Sequence, residues 1–386
     1  MTDKGTEIKN VDTEEVLNAM MLARTDYFNL TGLHDLMAAA GTATAIMEAK
    51  DDIRQVLPDA TTRQVNAFKT IEKQREKAED ELQWCLDNNI LPITMSSPQY
   101  PQRLAGCPDA PVVMYYLGNA DLNRQRVVCI IGTRNCTTYG KDIIGKFTAE
   151  LKEACPDVLI VSGLAYGVDI CAHRCALDNG LDTVGVLAHG LDNIYPQLHR
   201  DTAVRMTNQG GLLTEFPSGT RAEKMNFVRR NRIVAGISDA CILVESAEKG
   251  GGLITANISN SYGREVFAFP GNVGSTYSIG CNNLIRDNKA MLITSAADFI
   301  KAMNWENDAV LAKARKKGIE RQLFPDLSAD EQLVVDILED TNDLQINMLA
   351  AKSGLAMGKL SSILFTLEMK GVIKNLAGGV CHLILS

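Results

Sequence analysis

The stretch Val127-Val128-Cys129-Ile130-Ile131-Gly132-Thr133-Arg134 decides the fold of this chain. An unbroken run of five apolar, largely β-branched residues is too short for a buried helix. Closed by a small polar loop, it reads as a strand covered on both faces. Thr138-Tyr139-Gly140 then opens a helical pattern. The alternation returns at Val158 to Val161, Thr183 to Leu187, Gly211 to Thr214, Cys241 to Val244, Glu265 to Ala268 and Met291 to Thr294. Short strands alternating with helices between Arg126 and Met303 predict a doubly wound α/β fold with a mostly parallel sheet.

On the N-terminal side, Pro92, Pro98, Pro101, Pro108 and Pro111 forbid a long helix, so 89–122 reads as a turn-rich lead-in with a short strand near Val112 to Leu117. Before it, Val16 to Asn88 is helical and strand-poor, a small helical domain over 1–88 behind a frayed tail of about the first 12 residues. On the C-terminal side, 304–326 is a charged connector holding Lys313, Arg315, Lys316 and Lys317 and ending near Pro325. Three helix patterns, Glu331 to Glu339, Ile346 to Lys352 and Met357 to Lys370, and a hairpin then predict a winged helix over 327–386. Its last helix buries Leu360, Ile363, Leu364 and Leu367 and turns Lys359, Ser361, Ser362, Thr366 and Lys370 outward. That set is thin for base reading, and a protein contact or a structural role stands beside DNA binding.

At 386 residues the chain is too long for one ordinary core, and two or three domains are expected. With 46% hydrophobic and 22% charged residues it has a globular composition. No apolar run is long enough to span a bilayer and the first residues lack a signal-peptide core, so a cytoplasmic protein is expected. Cysteines such as Cys129 and Cys241 sit inside apolar runs, as small buried hydrophobes do in a reducing compartment. Cys171-Ala-His173-Arg-Cys175 is not a metal site, because on a helix His173 lies about 200° around from Cys171.

The net charge of -8 makes one local excess conspicuous: Arg221, Lys224, Arg229, Arg230 and Arg232, with only Glu223 against them. A cation cluster beside Phe227 suits single-stranded nucleic acid, which offers both backbone charge and bases to stack; the plainer reading is a solvated helix face. Ligands of an open α/β sheet bind beyond the carboxyl ends of its strands. There the chain carries Gly132-Thr133-Arg134, then Ser162-Gly163-Leu-Ala-Tyr-Gly-Val-Asp169, then Glu245 followed by Lys249-Gly250-Gly251-Gly252 and Thr255. Small residues opening helices favour phosphate. Neither G-x-G-x-x-G nor a P-loop is present, so no nucleotide cofactor is indicated. Ser162, Asp169, His173, Glu215 and Glu245 lie in no recognisable catalytic context, and Glu215 and Glu245 read as caps or as partners of the arginines.

These residues, with Tyr195-Pro196, Gly263-Arg264-Glu265-Val266, Pro270-Gly271, and Gly280 with Asn283-Leu284-Ile285, resemble the DNA processing protein A family, DprA or Smf. The resemblance implies a Rossmann-like core between an N-terminal helical domain, of SAM or helix-hairpin-helix-like type, and a C-terminal winged helix. It implies a dimeric, non-enzymatic protein that binds incoming single-stranded DNA and helps load the RecA recombinase during natural transformation. The implied DNA-binding set is Gly132, Thr133, Arg134, Ser162, Gly163, Lys224, Phe227, Arg230, Asn231, Arg232, Lys249, Gly250, Gly251, Gly252 and Thr255. Phe227 reads equally as a stacking platform or as a residue buried under the sheet edge, and Arg230 and Arg232 as groups held by Glu215 and Glu245. The chain departs from the family pattern at Thr133, usually Ser; at Gly250-Gly251-Gly252, commonly Ser-Gly-Ser; at Val228, usually Pro; and at His199, often Asn. The N-terminal domain lacks a glycine-hinged hairpin signature.

A second class is an enzyme, a nucleotide N-glycosidase resembling the lysine-decarboxylase-like phosphoribohydrolases with G-G-x-G-T-x-x-E. Laid on Gly251-Gly252-Leu-Ile-Thr255, the catalytic Glu falls on Ile258, which can serve neither as acid nor as base.

Overall fold

The computed structural model describes residues 12–25, 28–305, 327–376 and 378–384. Most of the expected tail and connector, including Lys313, Arg315, Lys316 and Lys317, lies outside the described residues.

The central sheet has nine strands: β1 (Leu91–Thr94), β2 (Val113–Gly118), β3 (Val127–Ile131), β4 (Leu159–Ser162), β5 (Thr183–Val186), β6 (Gly210–Thr214), β7 (Ala240–Leu243), β8 (Glu265–Ala268) and β9 (Met291–Leu292). Their order is β1-β2-β6-β5-β4-β3-β7-β8-β9. From β6 to β9 all neighbours are parallel, and β2 and β1 extend the sheet antiparallel. The chain builds outward from β3 to β6, then returns to the other side of β3 for β7 to β9. The order thus reverses between β3 and β7, where a doubly wound sheet opens a crevice.

Side chains of β3 alternate between the two faces, as a period of two requires. Val128 and Ile130 pack with Phe147, Ala172 and Phe299 on one side. Val127, Cys129 and Ile131 pack with Ile233, Val234 and Ala256 on the other. The helices Thr138–Ala154 and Val168–Asp178 cover the first face, and Lys224–Gly236 and Gly251–Ser261 the second.

The sequence pattern does not predict β1, because Pro92 sits inside it. As an edge strand pairing only with β2, it tolerates a residue without an amide proton. The lead-in is also pinned electrostatically. Arg103 Nε donates to Asp239 at 2.5 Å with both side chains buried, and the other Asp239 oxygen accepts the Val127 amide at 2.8 Å.

Four of the N-terminal helices are individually capped, by Asp12, Asn29, Thr42 and a Thr61/Gln64 capping box. Their core of Val16, Met20, Leu36, Ile46 and Phe68 is continuous with Ile90, Val113 and Tyr115. Buried Glu15 accepts the amides of Ala43 and Thr44 and the Ser96 hydroxyl at 2.7–2.8 Å. Glu81 accepts the Ser218 amide and hydroxyl at 2.8 and 2.7 Å.

The C-terminal unit packs the helices Ala329–Asp340, Ile346–Ser353 and Met357–Met369 on a three-stranded sheet of β10 (Leu344–Gln345), β11 (Ile373–Leu376) and β12 (Val380–Leu383). Asn347 Nδ2 donates to Gly263 O at 3.4 Å, joining it to the central domain.

Candidate nucleic-acid interface

Because β3 and β7 flank the reversal of strand order, the loops that follow them face each other. Thr133 N donates to Glu245 O at 2.8 Å, locking the two loops together. A Cβ on Gly252 would stand 2.8 Å from Leu243 Cδ1 and 3.1 Å from Gly132 Cα, so the loops reach this separation only with glycine there. The helix Gly251–Ser261 starts from Gly250 without a side-chain cap, and the amides of Gly251 and Gly252 open onto a groove of about 640 Å³.

Arg134, Lys224, Phe227, Asn231 and Lys249 line this groove together with Gly132, Thr133, Gly163, Arg230, Gly250, Gly251, Gly252 and Thr255. Arg134, Lys224 and Lys249 are exposed, and none has a carboxylate within ion-pair distance among the described residues. The Arg134 guanidinium lies 5.2 Å from the centre of the Phe227 ring. Phe227 is half-buried and meets Tyr195 edge-to-face at 5.9 Å, so it is a wall of the groove rather than a core residue.

Two predicted residues do not reach the groove. Ser162 is fully buried at the end of β4, its hydroxyl donating to Ile130 O at 2.6 Å. Arg232 is buried on the inner side of its helix and donates to Glu215 at 2.6 Å; Arg229 reaches the same oxygen at 2.7 Å. Both lie where a helix or strand period turns them inward, a placement that charge counting along the chain does not register. Thr255 lines the groove but is buried, and its hydroxyl turns back to Gly251 O at 3.5 Å.

Arg230 is present in the groove as structure. Its guanidinium donates to the carbonyls of Gly163, at 2.6 Å, and Val186, so it ties the ends of β4 and β5 together. A Cβ on Gly163 would run into that guanidinium. Asp169 lies behind it and accepts the amides of Gly163 at 3.1 Å and Ala165 at 3.4 Å. Burial lowers the Arg230 pKa to about 10 against the opposing field of Asp169, and raises that of Asp169 against the field of Arg230. Desolvation outweighs attraction at both groups. Of the two carboxylates expected to hold Arg230 and Arg232, Glu215 holds Arg232, whereas Glu245 accepts the Thr137 amide at 2.8 Å and hydroxyl at 2.6 Å, beside the start of Thr138–Ala154.

Comparison with known proteins identifies the family and supports the fold. The family model described as DNA recombination-mediator protein A matches residues 92–304, more than half of the chain, and a DprA winged helix domain matches 320–379. The chain belongs to the DNA recombination-mediator protein A family. The DNA processing protein DprA of Bacillus subtilis is 39% identical over 223 residues, 57% of this chain and 74% of that protein. Among solved structures, DprA from Streptococcus pneumoniae aligns with a TM-score of 0.62 at 28% identity, covering 72% of this chain and 95% of that one. DprA from Helicobacter pylori, solved for its single-stranded DNA binding mode, aligns at 0.50 and 28% identity, covering 58% and 96%.

Within this DprA-family groove, Tyr195 is a lining residue that sequence reasoning leaves out of the site. Its Tyr-Pro motif marks the family but carries no chemistry of its own in the sequence. The departure at His199 has a local role: its ring Nδ1 donates to Leu164 O at 2.9 Å, joining the loops after β4 and β5. His173 is buried and hydrogen-bonded through Nδ1 to the Thr183 hydroxyl at 2.7 Å, turned away from Cys171 and Cys175, whose sulfurs are 4.0 Å apart.

Proposed function

We propose that this chain binds single-stranded DNA along the groove at the β3/β7 crevice, without sequence preference, and helps load RecA onto the bound strand during natural transformation. The observation that carries the reading is the adjacency of exposed cations to aromatic rings in the groove wall, Arg134 over Phe227 with the exposed Tyr195 beside it, next to uncapped amides of the glycine loop. Cations and amides suit phosphates, and aromatic faces suit bases that are not paired. RecA as a partner, the homodimer as working unit and a cytoplasmic setting are supported by the family resemblance. In this reading 89–303 is the binding unit, 1–88 a helical domain, 304–326 a linker and 327–386 a winged helix.

Glycoside cleavage finds no support in the same groove. Among the described residues Asp169 is the one carboxylate lining it, and that group is committed to two amides and to the field of Arg230. Ile258 stands where the phosphoribohydrolase pattern requires a Glu.

A gel shift tests the reading. Single-stranded oligonucleotides should be retarded at lower protein concentration than duplex, and less so as salt rises. Arg134→Ala combined with Lys224→Ala should weaken binding to all sequences alike and reduce the slope of log affinity against log salt by about 0.7 for each phosphate no longer neutralised. Unchanged affinity and slope would remove the groove from the mechanism. Repeating the shift with RecA present tests the loading step.

A further inference from the structure

The loops after β4 and β5 present three large exposed side chains, of which Tyr195 lines the groove described above and Tyr166 and Leu198 lie outside its lining. Tyr195 is 47% exposed, Tyr166 44% and Leu198 76%. Single exposed apolar residues are ordinary on a protein surface. These three differ in being gathered at one edge of the sheet and rigidly mounted. The Tyr166 ring packs against His199 at 5.0 Å in a T-shaped contact, and His199 adjoins Leu198 in the chain. His199 is itself bonded to Leu164 O, and the Tyr195 amide donates to His189 Nε2 at 3.2 Å. Leu164 holds φ at 54°, a left-handed conformation that a branched side chain rarely adopts. The surrounding packing therefore imposes this loop geometry at a cost in backbone strain.

The shelf is continuous with the groove. Tyr195 belongs to both, through its contact with Phe227. Tyr166 sits between Ala165, which lines the groove, and Gly167, which packs against the backbone of Thr133 and Arg134. The strand order places β5 two positions from β3, about 10 Å across the sheet.

We propose that Tyr195, Tyr166 and Leu198 form a second, base-binding subsite that receives an unpaired nucleobase of the strand as it leaves the groove; this rests on the single-strand reading above. Phosphates are held at the β3/β7 crevice, and the shelf holds the chain by stacking and apolar contact. Binding at the shelf is therefore insensitive to salt and to base identity, and needs an oligonucleotide long enough to extend beyond the groove.

The experiment measures affinities of the full chain for oligothymidylates of increasing length at several salt concentrations, comparing wild type with Tyr166→Ala/Leu198→Ala. The expected result is a loss on the order of tenfold on long oligomers, none on the shortest bound oligomer, and an unchanged salt slope. Tyr166→Phe in place of Tyr166→Ala should restore the aromatic contribution, which separates stacking from a folding defect. Equal affinity of wild type and double variant on long oligomers overturns the shelf while leaving the groove intact. A loss that is equal at all lengths, or that lowers the salt slope, also overturns it. Failure of the wild type to bind any oligonucleotide overturns the groove reading itself, and is distinct from either result.

Discussion

The crevice at β3/β7 and the outward face of the helix Met357–Met369 are both candidates for nucleic acid by sequence, and their surfaces are opposites. In the crevice the exposed cations have no carboxylate partner among the described residues, and the rings of Phe227 and Tyr195 stand beside them. On the winged helix, Lys359 is paired with Asp330 and Lys370 with Glu331, each at 2.8 Å, and the side chains left open are Phe365, 65% exposed, and Met369, 74% exposed. Residues 327–386 hold four lysines and no arginine against seven carboxylates. A lysine counts toward DNA binding only when no carboxylate already occupies it. By that measure the outward face of this helix, with both its lysines occupied and its open side chains apolar, suits contact with protein better than contact with DNA.

The largest test of this contrast acts on the carboxylates that hold cations. Glu215→Ala strands two arginines, one of them buried, and should cost about 3–5 kcal/mol, read as a lower urea midpoint. Glu331→Ala releases a half-exposed lysine and weakens one capping box, and should cost about 1 kcal/mol. Similar costs for the two would erase the distinction between a structural and a surface ion pair.

Acid separates the two regions by pH window. Burial lowers the His173 pKa from 6.5 to about 3, and also lowers those of His189 and His199. Below 6.5 the unfolded chain takes up protons that the folded chain refuses. The central domain therefore loses stability as pH falls below 6.5, with His173 contributing up to about 1.4 kcal/mol per pH unit down toward 3 and His189 and His199 adding in the same direction. In the winged helix, hydrogen bonds from Lys370 and Asn375 hold Glu331 and Glu368 below the usual 4.5, so that contribution is kept above 4.5 and lost only beneath it. Circular dichroism unfolding curves between pH 7 and 4 should show the central domain weakening first. His173→Gln should flatten its slope, and an unaltered slope would count against the assignment.

The smallest expected effect completes the comparison. Phe365→Ser with Met369→Ser should leave single-strand affinity within about twofold and stability within about 0.5 kcal/mol, since both side chains are already in water. A clear loss of DNA binding would return the winged helix to the nucleic-acid interface.

Much of this architecture is legible because buried parallel strands write themselves as unbroken apolar runs. β3 and β8 fall where Val127 to Ile131 and Glu265 to Ala268 predict them, and β4, β6 and β7 are displaced by a single residue at one or both ends. β1 is illegible because Pro92 argues against a strand unless one knows that it lies at an edge, which is a property of the assembled sheet. The groove is readable from three small-residue loops at one sheet edge, and the structure does gather them. The arginine run misleads in part: adjacency along the chain makes Arg229, Arg230 and Arg232 look equivalent, while the helix turns 230 and 232 into the protein and leaves 229 at the surface. Tyr195 escapes notice because its contact with Phe227 joins the loop after β5 to the helix Lys224–Gly236, two places separated in the chain by a helix and a strand.

The apolar seam that runs from Phe68 and Met20 into Val113 and Tyr115 makes the N-terminal domain inseparable from the sheet. Cutting the chain after residue 88 would leave one side of β2 wet and the Ser218 turn without its acceptor, Glu81. The front end is thus a buttress for the loop that leads into the arginine helix, and a deletion meant to isolate the binding region would remove part of its foundation.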